Sequence, residues 1–299
     1  MANPCWIAWT GRSRTMPNAL TSPDSSYENR IRPVLRNCAV WAYHKTYARR
    51  ANYECERIAL SLLDGSGIAP ALLHSDGATL THTIGHCPGT PLDQLPDAQR
   101  QAALPQLFGL IRKLQSIPAA GVGPLADPPS TRAGTGADTW RSYLAAKLPQ
   151  RIGAVRGPAK AVSRLRDALA DGLTQLEPRL PCGLLHHDLK PANVLLGGTG
   201  QLTLVDFDQA KWGPAVSDLG KLAWRFDLWR RPAALTGLRT TFPEVMLPAL
   251  RFHSLLHMIG ALDYYATFGT PSYLPHVHSA LTHIERLTGA KLEVPHVRD

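Results

Sequence analysis

The stretch His186-His187-Asp188-Leu189-Lys190-Pro191-Ala192-Asn193, followed by Leu204-Val205-Asp206-Phe207-Asp208, constrains this chain more than any other. Apolar, β-prone Leu184-Leu185 and Val194-Leu195-Leu196 flank the first segment and read as buried anchors of a tight loop. Gly197-Gly198-Thr199-Gly200 reads as a hairpin turn, and Leu202-Thr203-Leu204-Val205 as the returning strand. That hairpin brings Asp206 back beside Asn193, although thirteen residues separate them. Pro191 stiffens the loop where no ladder partner needs its missing N–H. One carboxylate to orient a hydroxyl, plus two oxygen ligands to hold Mg²⁺ on a nucleotide's phosphates, is what phosphoryl transfer requires. A polar turn before an ordinary hairpin would explain any one of these residues. The joint pattern points to a phosphotransferase loop.

This pattern resembles the aminoglycoside phosphotransferase and choline-kinase-like family, relatives of the protein kinases, whose loop reads H-G-D-x-x-x-x-N and whose metal strand reads I-D-[FW]-[DE]. The resemblance is clear over roughly residues 182 to 224 and weaker from about 26 to 116. It implies an α+β, bilobal, protein-kinase-like fold with a small β-rich N-lobe and a larger, mostly helical C-lobe. By residue, it implies Asp188 as catalytic base, Asp206 as principal metal ligand and Asn193 as a second, with ATP and Mg²⁺ as cofactors. His186 matches the loop's structural His. His187 stands where the family has Gly and is expected to crowd the neighbouring backbone. Asp208 matches a second acid of variable role.

Leu189-Lys190-Pro191-Ala192-Asn193 is also how protein Ser/Thr kinases spell this loop, which makes Lys190 a candidate for the γ-phosphate; a solvated surface lysine is the competing reading. The following segment separates the two kinase classes. Asp206 is followed after twelve residues by Asp218, with no A-P-E segment and no room for a peptide-docking platform. The resemblance maps Asp218 onto an Asp that braces the catalytic loop from a helix start. Its local reading is an N-cap on a helix beginning at Leu219. A small-molecule hydroxyl substrate is therefore expected, with a protein kinase or a nucleotide-binding pseudokinase scaffold as alternatives.

Upstream, Cys5-Trp6-Ile7-Ala8-Trp9 reads as a strand. Ser25-Ser26-Tyr27-Glu28-Asn29-Arg30-Ile31 resembles the family's nucleotide flap without its glycines, and equally an ordinary polar turn. Strand-like Cys38 to Lys45 ends in the lysine expected to grip the α- and β-phosphates. A helix from about Arg50 to Leu63 carries Glu56, expected to pair with Lys45, with Glu54 as competitor. Residues 71–84 read as a hairpin leading to a hinge near Gly85 to Cys87. A boundary there divides an N-lobe, 1–85, from a C-lobe, 86–299, with the acceptor pocket in the latter. Helices are expected at Gln99 to Ser116, 138–151 and 158–177, with a loop at 118–138.

Composition excludes several classes. At 299 residues with 44% hydrophobic and 18% charged content, the chain suits a globular enzyme and not a disordered one. No apolar stretch reaches transmembrane length and no secretory pattern opens the chain. Five cysteines without C-x-x-C spacing suggest reduced thiols in a cytoplasm. His253 and His257, i and i+4 on a helix, lack a third metal ligand and read as core or groove residues. The net charge is +9, and residues 211–299 carry ten Lys or Arg against seven Asp or Glu. That disfavours a strongly cationic acceptor and fits a nucleoside, sugar, amino alcohol or antibiotic of neutral or anionic character. The basic residues are scattered, so nucleic acid is not an expected partner.

Overall fold

Two strands open the described chain: β1 (Arg30–Arg36), an edge strand exposed along most of its length, and β2 (Ala39–Thr46), which buries Ala42 and Lys45. The computed structural model describes residues 29–126, 139–177 and 180–297. The strand expected at 5–9 and most of the expected flap lie outside them. Asn37 and Cys38, at φ 51° and 64°, form the two-residue turn joining β1 to β2. Left-handed turns of this kind match the twist of a hairpin. β3 (Leu72–Asp76) and β4 (Thr81–Gly85) complete an antiparallel sheet of order β1-β2-β4-β3, in which Lys45 faces His82 across the ladder.

One helix, α1 (Arg50–Leu62), covers this sheet. Cys55, Glu56, Ala59 and Leu60 recur at helical spacing and are buried, and the apolar three join Leu63, Ile68 and Ile84 in the core. Glu56 is therefore carried inward by the same periodicity that anchors the helix.

After β4 the chain crosses to the second lobe. His86 N–H bonds the carbonyl of Trp41 at 2.9 Å, and β5 (Thr90–Pro91) pairs with β8 (Val194–Leu196). A Cβ on Gly89 would lie 3.0 Å from the Leu196 carbonyl oxygen, a contact tight enough to favour glycine at this approach. The helix expected from Gln99 to Ser116 is two helices, α2 (Asp97–Ala102) and α3 (Leu104–Gln115). Pro105 is the reason: it has no N–H for the preceding turn and its ring opposes the carbonyl four residues back.

Short strands β6 (Gly123–Pro124), β7 (Gly183–Leu185) and β10 (Lys211–Gly213) form one three-stranded sheet; β5, β8 and β9 (Leu202–Leu204) form another. Around them pack α4 (Trp140–Ile152), α5 (Ala159–Thr174), α6 (Val216–Arg225), α7 (Pro232–Thr241), α8 (Leu247–Phe268) and α9 (Leu274–Thr288). α8 is buried around most of its circumference and is the axis of the lobe. α6 crosses it at Gly220, where a Cβ would meet His253 Cβ at 2.5 Å. The small sheet lobe and larger helical lobe agree with the α+β bilobal expectation. Among the described residues no helix is long and apolar enough to cross a membrane.

Candidate active site

The loop between β7 and β8 is held from α6. Asp218 Oδ2 and Oδ1 accept the backbone N–H groups of His186 (2.8 Å) and His187 (2.7 Å). Burial pushes the Asp218 carboxyl up, opposed by His186 and those two N–H groups. The helix starts at Val216, not Leu219, so Asp218 lies in its first turn and Ala215 is the N-cap. The N-cap reading is thus replaced by a brace on the loop's backbone.

His186 fixes the loop to the segment that carries Asp206. Its Nδ1 accepts from Asp188 N–H at 3.3 Å, which puts the ring proton on Nε2, 2.9 Å from the Val205 carbonyl. Its ring lies against Phe207, centroids 4.5 Å apart. His187 adopts φ +63°, the left-handed region, which is why glycine suits this position. The loop accepts a histidine because its side chain is packed: the ring sits 5.1 Å from that of His257.

Asp188 is gripped by three side chains. Lys190 Nζ approaches Oδ2 at 2.7 Å and Lys221 Nζ approaches Oδ1 at 3.0 Å. Asn193 donates to the Asp188 carbonyl at 3.0 Å and to Oδ2 at 3.1 Å. Burial would raise the Asp188 carboxyl, but the charges of Lys221 and Lys190 outweigh it and hold the group well below the usual carboxylate range. Asn193 spends its amide hydrogens on Asp188, leaving its carbonyl oxygen as the atom to face a cation.

Lys45 and Glu56 meet across the N-lobe at 2.5 Å, and Lys45 Nζ also reaches Asp206 Oδ1 at 2.6 Å. Burial opposes the charge on Lys45, yet Glu56, Asp206 and Asp208 together raise its pKa. Glu56 additionally accepts the Tyr47 hydroxyl and, at 3.0 Å, the Phe207 N–H. Glu54 instead pairs with Arg57 on the surface. Asp206, at φ +72°, follows Val205, whose N–H bonds the Asn193 carbonyl at 3.0 Å. Backbone pairing thus brings positions 193 and 206 side by side. Burial acts to raise the Asp206 carboxyl, but Lys45 and Lys190 depress it. Asp208 is pushed up to about 7 by burial and by Asp206, and accepts Asn29 Nδ2 at 2.7 Å.

Carbonyl and carboxylate oxygens at 193 and 206 are hard donors of the kind Mg²⁺ prefers. Among the described residues no group of three or more His, Cys, Asp or Glu could hold a metal by itself. An ion here would therefore complete its shell from phosphate and water. His253 accepts Trp140 Nε1–H at 2.9 Å and bonds the Ala249 carbonyl at 2.8 Å, so it is a core residue. His257 bonds the Ser217 carbonyl at 2.9 Å and lines the cleft.

That cleft, about 570 Å³, lies between the lobes and is lined by Lys45, Asp188, Lys190 and Asp206 of the expected set. Lys221 and Arg151 line it too, and sequence reasoning omitted both. Lys221 sits three residues after Asp218 on α6, on one helical face, and that spacing was the available signal. Arg151 carried none.

The sequence matches the phosphotransferase enzyme family over residues 34–252. No curated protein matches the sequence. Among solved structures, the apo form of a thermostable mutant of the aminoglycoside phosphotransferase APH(4)-Ia aligns at TM-score 0.64 and 17% identity, over 88% of this chain and 91% of that one. A choline/ethanolamine kinase family protein from Mesorhizobium loti aligns at 0.61 and 16%, over 87% and 88%. The GDP complex of aminoglycoside 2′-phosphotransferase-IIIa aligns at 0.57 and 17%, over 89% and 94%. The chain therefore belongs to the phosphotransferase enzyme family.

Proposed function

We propose that this enzyme transfers the γ-phosphate of ATP to a hydroxyl of a small molecule, using Asp188 as base. The observation that carries the reading is the meeting of Asp188, Asp206 and Lys45 at one cleft, with Asn193 bonded to Asp188 and Glu56 to Lys45 behind them. Solved relatives carry AMP-PNP with hygromycin B, ADP with hygromycin B, gentamicin, and GDP, which supports a nucleotide donor and a small-molecule acceptor. Between Asp206 and α6 the chain makes only β10, which leaves little for a peptide to dock on.

In this reading residues 1–85 grip the nucleotide and 86–299 hold the acceptor. Lys45, oriented by Glu56, binds the α- and β-phosphates; Lys190 reaches the γ-phosphate. Asn193 and Asp206 would hold Mg²⁺, which neutralises phosphate charge when bound. Asp188 orients the acceptor hydroxyl; its oxygen bonds the γ-phosphorus as the bond to the β-phosphate oxygen breaks. The hydroxyl proton passes to Asp188 and ADP leaves. A carboxylate held this acidic accepts the proton late, so positioning is its larger contribution. The cytoplasm, where ATP is plentiful and thiols stay reduced, is the proposed setting.

The test is ATP consumption against a panel of hydroxylated compounds, with mass spectrometry of the product for one added phosphate. No acceptor-dependent ADP, or full turnover by Asp188→Ala, would overturn the reading.

A further inference from the structure

Five cationic side chains line the cleft, Lys45, Arg49, Arg151, Lys190 and Lys221, against three acids, Asp188, Asp206 and Asp208. Asp206 and Asp208 stand on the nucleotide side with Lys45. Past Asp188 the acceptor side therefore holds Arg151 and Lys221, with Lys190 between them and the γ-phosphate and Asp188 as the one carboxylate lining it. Arg225 stands close enough to act on the charges of Lys190 and Lys221.

Behind this wall is another cation. Lys211, on β10, lies with Nζ 3.3 Å from His187 Nε2 and makes no ion pair among the described residues. Burial, then the like charge of Arg151, push it down to about 7; Cys55 acts the other way, and Lys147 and Lys221 add smaller pushes down. His187 and His257, which separate it from the cleft, are held neutral by burial and by these same cations. Arg151 bonds the Leu256 carbonyl at 3.2 Å, beside the open Cα of Gly260; burial lowers its pKa, opposed by Tyr143 and Asp263. Lys190 and Lys221 share Asp188, whereas Arg151 and Lys211 make no ion pair among the described residues. Buried charge left so is costly without an anion to receive.

Further along α8 from Leu256 and Gly260 the cleft lining is aromatic. Tyr264 packs on Phe268 and on Tyr273, centroids 4.7 Å apart in each pair, and all three line the cleft. A ring-bearing compound would lie against them.

Resting on the phosphotransferase reading, we infer that the acceptor is an anionic hydroxyl compound, its carboxylate or phosphate received by Arg151 with Lys221 and Lys211 behind, and its ring laid on Tyr264 and Tyr273. A polycationic acceptor would meet the reverse of its complement here.

The experiment measures binding by calorimetry to the full chain saturated with AMP-PNP and Mg²⁺. The probes are three benzyl alcohols carrying carboxylate, carboxamide or aminomethyl in the para position. Expected is at least tenfold tighter binding of the carboxylate than of either other probe. Arg151→Gln should reduce that ratio several-fold, and Lys211→Met, which removes a cation without touching the Leu256 carbonyl, should reduce it as well. Equal binding of the three, no measurable binding, preference for the amine, or a ratio unchanged in both variants overturns the inference. Slow ATP hydrolysis without acceptor, lost in Asp206→Ala, is followed in parallel. If it persists while the charge preference fails, only the acceptor class is wrong. If nucleotide binding and hydrolysis are both absent, the phosphotransferase reading itself has failed.

Discussion

Lys221 Nζ sits 3.0 Å from Asp188 Oδ1, one turn along α6 from Asp218, the carboxylate that grips the backbone of the same loop. A single helix thus fixes the proposed base twice, through its main chain and through its charge. Lys221→Gln should let the Asp188 carboxyl rise toward its ordinary value, because charge from Lys221 is what chiefly opposes burial. A depressed folded-state carboxyl is active and stabilising above its pKa and loses both as pH falls through it. The acid limb of kcat should therefore move to higher pH in the variant. An unmoved limb with unchanged kcat would remove Lys221 from the site's chemistry.

Asp188→Asn keeps the shape and removes the base. Turnover should fall by about 10²–10⁴-fold. Nucleotide affinity should change little, since Lys45 and Asp206 are untouched. Calorimetry with AMP-PNP beside a steady-state assay separates the two quantities. A matched loss of binding and turnover would assign Asp188 to the nucleotide instead.

Glu56 collects the Lys45 ammonium, the Tyr47 hydroxyl and the Phe207 N–H at one carboxylate. Glu56→Ala leaves a buried lysine with only Asp206 and orphans an amide. Breaking a buried pair of this kind costs about 3–5 kcal/mol. Thermal unfolding should show a drop of many degrees, and the KM for ATP should rise. Glu54→Ala, whose partner Arg57 is on the surface, is the control and should move stability by no more than about 0.5 kcal/mol.

The loop, the hairpin and the strand leading to Asp206 are legible in sequence because each spacing is set locally: a hairpin of fixed length decides that 193 meets 206. Lys45 and Glu56 are legible for a related reason, since the helical period that buries Cys55 and Ala59 also turns Glu56 inward. The break at Ala103 is also written locally, in Pro105. By contrast Arg151, Lys211 and Lys221 come from α4, β10 and α6, and no local period relates them. Their convergence depends on how α8 packs against its neighbours. The charge sum over 211–299 registered a trace of it; the pocket's sign came only from three-dimensional placement.

His187 offers a test in which two effects oppose. Its φ of +63° costs about 1 kcal/mol relative to glycine. Its ring, half-buried against His257 and beside Lys211, contributes packing of about 1.5 kcal/mol or more. His187→Gly relieves the first and forfeits the second, and also loosens the unfolded chain, so it should be destabilised by about 1 kcal/mol. His187→Ala keeps the backbone strain and loses the ring, so it should be less stable than the glycine variant. The expected order of unfolding temperature is wild type, then Gly, then Ala. If His187→Gly unfolded above the wild type, the ring would have no packing role. The histidine would then have to be explained by what it does for the acceptor alone.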